Sequence, residues 1–145
     1  MPSVQHPLKM EAAALSAFLK QAFPQFHGEI LSVTESASRV RHQVSAEHLR
    51  PGGTVSGPTL MALADVALYI DLLSKIGPVP LAVTTDFTCH FLNKPAAHTA
   101  IEAEARLLKL GRRLAIGEVY LYSEGVDNPV AHVVATYSIP PQEKV

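Results

Sequence analysis

The residue of this chain best suited to chemistry is Asp65, the one carboxylate in an otherwise apolar run, residues 56–70. The run predicts a helix that has Ser56 as its N-cap and Pro58 in its first turn and is apolar on nearly every face. A helix of that kind is usually buried, and a buried carboxylate without a partner is costly. A functional role would explain a carboxylate at this costly position, and catalysis as a general base or a nucleophile is one such role.

Gly57 stands at the start of the same predicted helix, eight residues before Asp65. Its N–H has no acceptor inside the helix and lies at the positive end of the helix dipole, so it can stabilise an oxyanion. Without a Cβ, it also lets a substrate approach closely. Eight residues of helix span roughly 12 Å, so both groups of one helix cannot touch one carbonyl. If both are catalytic, Gly57 of one subunit works with Asp65 of another, which predicts at least a two-fold dimer.

The elements around this helix can be predicted from the spacing of apolar residues and from turn signals. After a loose arm at residues 1–7, helical spacing covers residues 9–23 and ends at Pro24, while Gly77 ends the long helix. Strand-like runs are predicted at about 28–35, 38–49, 81–92, 98–110, 113–123 and 129–139. Because no helices alternate with the last four runs, we predict an α+β fold in which one curved antiparallel sheet wraps around the long central helix.

Composition narrows the class of protein. A chain of 145 residues with 48% hydrophobic and 17% charged residues is long and apolar enough for one folded domain, and a net charge of -1 gives no argument for nucleic acid. The single cysteine, Cys89, excludes an internal disulfide and favours a reducing, cytoplasmic compartment. Asp65, Asp71 and Lys75 interrupt the long helix, so no membrane span is predicted. Asp71, near the end of that helix, is predicted to be solvated.

Two motifs resemble those of a known family. One is Gly57 followed by Leu63-Ala64-Asp65-Val66-Ala67, and the other is Thr84-Thr85-Asp86-Phe87 leading to Phe91-Leu92 and Pro95. Over about residues 28–139 the chain is similar to hotdog-fold thioesterases, in particular to the PaaI-type acyl-CoA thioesterases of phenylacetate degradation. Where that family typically has His-Gly-Gly, this chain has Ser56-Gly57-Pro58. The resemblance implies a single hotdog domain over residues 1–145, with an N-terminal arm and helix (1–24) and a hotdog core (25–140).

The resemblance also implies an activity, namely hydrolysis of an acyl-CoA to the free acid and coenzyme A. No cofactor is expected beyond the coenzyme A of the substrate, and the expected assembly is a homodimer, often paired into a tetramer. Asp65 would be the base or the nucleophile and Gly57 the oxyanion donor. Thr84 matches a position whose hydroxyl helps to hold the attacking water, although a β-branched residue is also common in a strand.

Five further residues are candidates for substrate binding. Arg50 stands where the family often has Asn, and it could anchor a carboxylated acyl group, pair with an acid, mark a subfamily or simply be solvated. Ser56 keeps a hydrogen-bonding side chain in place of histidine, or is only a cap. The resemblance favours Lys109, Arg112 and Arg113, around the turn at Gly111, as ligands of the coenzyme A phosphates, and a charged hairpin is the alternative.

Other chemistries find little support in the sequence. The seven histidines lack the spacing of a metal site, and there is no phosphate-binding Gly-Lys-Ser/Thr loop, dinucleotide fingerprint or Gly-x-Ser-x-Gly elbow. A hotdog dehydratase is disfavoured because no histidine follows Asp65 within the helix. The departures at Arg50 and Ser56 keep one alternative open, a non-catalytic acyl-CoA-binding or regulatory protein of the same fold.

Overall fold

The computed structural model describes residues 5–142 of the chain. Its elements, in chain order, are α1 (Ala12–Ala22), β1 (Glu29–Val33), β2 (Ser38–His42), a 3-10 turn (Ala46–His48), β3 (Leu49–Arg50), β4 (Thr54–Val55), α2 (Gly57–Ile76), β5 (Val83–Phe91), β6 (Ile101–Leu110), β7 (Leu114–Ser123) and β8 (Ala131–Ser138). Six strands form one antiparallel sheet in the order β1-β2-β6-β7-β8-β5, while β3 and β4 pair separately. The predicted α+β architecture is confirmed.

Helix α2 packs on the inner face of this sheet and forms the centre of the core. Strands β6, β7 and β8 each alternate buried and half-buried residues, as strands with one covered face do. Gly117 of β7 allows the close contact, because a Cβ there would overlap the side chain of Leu68 in α2. The helix ends as predicted, with Gly77 at a φ of 92°. Within residues 5–142, no helix is both long and apolar enough to cross a membrane.

The predicted strand 38–49 is wrong in its second half, since β2 ends at His42. Both the N–H and the hydroxyl of Ser45 lie 3.0 Å from Nδ1 of His48, so local hydrogen bonds replace a strand ladder there. The predicted loose arm is wrong for residues 5–7, because the N–H of His6 donates to the carbonyl of Glu35. Residues 1–4 of that arm lie outside the described residues.

Asp71 is not solvated as predicted, but fully buried. Its Oδ1 accepts hydrogen bonds from Nζ of Lys75 at 2.6 Å and from Oγ of Ser38 at 2.7 Å. The ammonium of Lys75 also donates to the carbonyl of Thr34 at 2.8 Å. Burial raises the pKa of the Asp71 carboxyl, and Lys75 opposes that rise. The prediction failed because the β1–β2 hairpin covers the C-terminal half of α2, which the helical pattern alone does not reveal.

Candidate active site

One stripe of α2 stays accessible although most of the helix is buried. Pro58, Met61 and Ala62 are exposed and Asp65 is half-buried, a spacing of three, four and seven residues that defines one helix face. We call these four residues the open stripe. The expectation of a buried Asp65 is therefore only partly right, because its side chain emerges at the end of this stripe.

The carboxylate of Asp65 is also not unpaired, since two hydroxyl groups bind it. Oγ1 of Thr84 donates to Oδ1 of Asp65 at 2.6 Å, and Oη of Tyr137 lies 2.9 Å from the same oxygen. The phenol also lies 2.9 Å from the main-chain carbonyl oxygen of Asp65. Within residues 5–142, no donor group is hydrogen-bonded to Oδ2. The carboxylate is thus held through one oxygen while the other remains available for reaction.

A β-bulge turns Thr84 toward Asp65. Phe87 pairs with the buried Ala135 and so faces the core, and strict alternation from Phe87 would point Thr85 inward and Thr84 outward. The ladder between β5 and β8 shifts register between Thr84 and Asp86, which inserts one residue. Thr84 consequently faces inward, opposite Tyr137, an example of a bulge that redirects a side chain beside a site.

Tyr137 was missed in the sequence. It lies 3% exposed on the inner face of β8, after the buried residues Ala131, Val133 and Ala135, and it alone of the four carries a polar side-chain atom. Burial, together with the charge of Asp65, raises the pKa of its phenol, so the hydroxyl stays protonated and remains a donor. A single polar residue on the apolar face of a strand was the signal that could have revealed it.

Two cavities meet at Asp65. The smaller, of about 170 Å³, is lined by Asp65, Thr84, Tyr137 and Tyr69 among others. The larger, of about 420 Å³, has a mainly apolar wall with three imidazoles, formed by Phe23, Gln25, Phe26, His27, His42, His48, Pro58, Thr59, Ala62, Leu63, Asp65 and Val66. Burial and the neighbouring imidazoles lower the pKa of His42, which favours its neutral form. The larger cavity therefore offers an apolar, aromatic environment next to the carboxylate.

Gly57 opens onto a different cavity, of about 630 Å³, at the N-terminus of α2. The charged residues that line it within the described chain are Arg50 and Lys94, both cations. A Cβ at Gly57 would lie 3.2 Å from Cζ of Phe91, so only a small residue fits there without displacing the ring. Ser56 is the N-cap residue as predicted, but its hydroxyl contacts Oγ1 of Thr59 at 2.9 Å and caps no backbone N–H.

The Thioesterase superfamily model matches residues 52–129, which is more than half of the chain and spans both Gly57 and Asp65. The chain belongs to the thioesterase superfamily. It is therefore a thioester hydrolase by family, and the carboxylate of Asp65 lies in the matched segment. Among proteins with curated functions, none is significantly similar to it in sequence.

Solved structures agree with this assignment. A provisionally assigned thioesterase from a Silicibacter species is 45% identical, with 94% of this chain and 96% of that one covered and a TM-score of 0.88. A variant of the phenylacetic acid degradation protein PaaI from Thermus thermophilus is 28% identical over 86% of this chain and 99% of that one, with a TM-score of 0.68. A Streptococcus mutans protein bound to acetyl-CoA is 18% identical over 83% and 94%, with a TM-score of 0.72, and shares the fold. The resemblance to PaaI-type thioesterases and the hotdog fold are confirmed.

The basic residues of the β6–β7 turn lie apart from the cavities of this family member. Lys109, Arg112 and Arg113 are exposed, and Nε of Arg113 donates to the carbonyl of Ile139 at 3.1 Å. Leu114 and Val83 both pair with Ser138, so the turn lies at the end of the sheet where β5 begins. Among residues 5–142, no group of three His, Cys, Asp or Glu side chains is arranged to hold a metal ion.

Proposed function

We propose that this protein hydrolyses an acyl-CoA thioester to the free acid and coenzyme A at a site shared by two subunits. The observation that carries the proposal is the half-buried carboxylate of Asp65, oriented through Oδ1 by two hydroxyls and bordered by an apolar cavity of about 420 Å³. A carboxylate with one oxygen braced and the other available suits a base or a nucleophile beside an acyl group.

The open stripe of α2 supports the shared site. If two α2 helices pack antiparallel about a two-fold axis so that Gly57 faces Asp65 of the partner subunit, the residue midway between them, Met61, lies near the axis. Met61 is 38% exposed although the residues at 60, 63 and 64 are buried. Self-association would cover this apolar side chain and bring each oxyanion donor to the other chain's carboxylate.

Strand β5 gives a second argument for association. It is an edge strand of the main sheet, and exposed apolar side chains lie at or next to its two ends, namely Leu81, Val83, Phe91 and Leu92. An uncovered apolar edge invites pairing with a second strand, here β5 of another copy. The pairing of such dimers into a tetramer is proposed from the family resemblance. A cytoplasmic location is proposed from the single cysteine.

The chemistry follows from Oδ2 of Asp65. As a general base, Oδ2 accepts a proton from water while the water oxygen bonds to the thioester carbonyl carbon, and the carbonyl oxygen gains negative charge that the Gly57 N–H of the other subunit stabilises. Collapse of the tetrahedral intermediate breaks the C–S bond, and the departing thiolate of coenzyme A takes up a proton. As a nucleophile, Oδ2 instead bonds to the carbonyl carbon and releases the thiolate, and water then hydrolyses the mixed anhydride. Both routes fit the geometry.

The charge of the cavities suggests how the substrate lies across the site. The acyl group fits the apolar cavity at Asp65, whereas the cavity at Gly57, with Arg50 and Lys94, suits the phosphorylated arm of coenzyme A or a carboxylated acyl group. Lys109, Arg112 and Arg113 are the alternative phosphate ligands. That a protein of the same fold binds acetyl-CoA supports a coenzyme A ester as the substrate.

The test is thiol release from aryl and short-to-medium aliphatic acyl-CoAs by the wild type and by Asp65→Asn. We expect wild-type turnover that falls at least about a hundredfold in the variant, because a proton acceptor or nucleophile is lost. Asp127→Asn, in an exposed turn, is the matched control and should behave as the wild type. Full activity of Asp65→Asn would refute the assigned role.

A non-catalytic acyl-CoA-binding protein is the second candidate, and the departures at Arg50 and Ser56 favour it. Calorimetric binding of the same acyl-CoAs by the wild type, without thiol release from any of them, would support this function. Arg50→Asn, which restores the residue the family often has, should then gain hydrolytic activity. If the wild type hydrolyses an acyl-CoA, the second candidate is excluded.

A further inference from the structure

Tyr137 contacts Asp65 in a way that an ordinary core tyrosine does not. Its Oη lies 2.9 Å from both Oδ1 and the main-chain oxygen of Asp65. A phenol has one proton, so the two oxygens share it or one of them takes it. Contact with both the backbone and the side chain of one residue limits rotation of the Asp65 side chain relative to its helix.

The surroundings fix the tyrosine itself. Its ring stacks on Tyr69, with centroids 6.2 Å apart and an interplanar angle of 30°. Oη of Tyr69 donates to the carbonyl of Pro80 at 3.1 Å, so that ring is anchored as well. Directly across the ladder, Tyr137 pairs with Thr84, the second hydroxyl donor to Asp65. Both donors therefore reach Oδ1 from neighbouring strands, while the carboxylate comes from the helix.

We infer that Tyr137 is a positioning residue, which holds Oδ1 of Asp65 so that Oδ2 points toward the thioester. The inference rests on the proposed role of Asp65 in hydrolysis. A hydroxyl that donates to a carboxylate stabilises the charged form, and a fixed orientation avoids the loss of alignment that a freely rotating side chain would suffer.

The test compares Tyr137→Phe with Tyr120→Phe, each of which removes one hydroxyl from a tyrosine of the sheet. Tyr120 lies on the outer face of β7 beside His132 and lines neither cavity at Asp65, so only the first hydroxyl contacts Asp65. We expect Tyr137→Phe to lower kcat at least about tenfold, the loss for one hydrogen bond to a charged group, with KM changed less than about threefold. The acidic limb of its pH–kcat profile should move to higher pH, and Tyr120→Phe should leave both kcat and the profile unchanged.

A purely structural role for Tyr137 predicts a different result. Loss of folded protein would lower the number of active sites without moving the pH profile. An acidic limb that stays at its wild-type position, whatever the fall in kcat, would therefore overturn the inference. If Asp65→Asn is inactive in that case, only the role of Tyr137 fails. If Asp65→Asn is active, the proposed function fails first.

Two measurements keep the inference testable without these rates. A crystal structure of Tyr137→Phe should have the Asp65 carboxylate rotated from its wild-type orientation, and an unchanged orientation would contradict the inference even if no substrate is turned over. Should Tyr137→Phe not fold, fluorotyrosine placed at position 137 keeps the ring and makes the hydroxyl a stronger donor. The acidic limb should then move to lower pH, and an unmoved limb would count against Tyr137.

Discussion

The proposed shared site makes a quantitative prediction for mixed dimers of two variants, each of which should be inactive alone. Asp65→Asn removes the base or nucleophile, and Gly57→Pro removes the oxyanion N–H. Proline is tolerated at the first position of a helix, and Ser56 before it already has extended backbone angles, φ -71° and ψ 153°, that suit a following proline. Because Pro58 follows and disfavours helical backbone angles at position 57, unchanged helical circular dichroism and an unchanged particle mass of Gly57→Pro are required controls. The closest neighbour is Cζ of Phe91, 3.2 Å from a Cβ at position 57, so a small movement of that ring is sufficient.

Each variant alone should be inactive, since every site lacks one of its two groups. In a mixed dimer, one site carries both substitutions, while the other combines the intact Gly57 of the first chain with the intact Asp65 of the second. Random exchange of equal amounts gives half mixed dimers, each with one working site of two. The mixture should thus recover about a quarter of wild-type kcat per chain.

The assay is thiol release after the two variants are mixed, dissociated under mild denaturant and reassociated, with each variant treated alone as the control. Light scattering before and after treatment checks that the particles again have at least twice the 15.6 kDa mass of one chain. Activity of the mixture that equals the mean of the two variants would refute the cross-subunit site. Gly57 and Asp65 would then act, if at all, in separate places.

Two further predictions concern stability. Lys75→Met leaves the fully buried Asp71 without its cation and should lower the free energy of unfolding by about 3–5 kcal/mol at neutral pH, measured by urea unfolding, with the exposed Lys109→Met as an unaffected control. Burial raises the pKa of Asp71 in the folded state above the unfolded value of 3.8, so the stabilisation that comes from its protonation is present at low pH and is lost as pH rises. The stability loss of Lys75→Met should therefore shrink toward pH 4. A loss that does not change with pH would contradict this. Gly117→Ala should lower the free energy of unfolding by about 1–3 kcal/mol through overlap with Leu68, and the double variant Gly117→Ala/Leu68→Ala should lose less than the sum of the two single losses, whereas additive losses would contradict the overlap.

Local information was enough to predict the elements of the fold. Apolar runs, turn residues and the glycine after the long helix predicted β5 to β8 and α2 to within a few residues, because the periods of strands and helices are fixed by backbone geometry. The same local reasoning identified Asp65 and Gly57, and the family resemblance added Thr84. The eight-residue separation alone required a second subunit if Asp65 and Gly57 act together. The sequence pattern of one helix or strand does not reveal which other element packs on it.

Only the tertiary structure decided the surroundings of the two carboxylates of α2. Asp71 is buried under the β1–β2 hairpin and paired with Lys75, whereas Asp65 emerges at the open stripe under the hydroxyls of Thr84 and Tyr137. The sequence pattern predicts a buried Asp65 and a solvated Asp71, whereas Asp65 is half-buried and Asp71 is fully buried. Their environments differ because residues distant along the chain approach them, and the inward turn of Thr84 depends on one bulge in the ladder between β5 and β8. The sequence alone thus identified the residues that could react, and the packing of distant strands decided that Asp71 is buried in an ion pair while Asp65 stays accessible beside two hydroxyls.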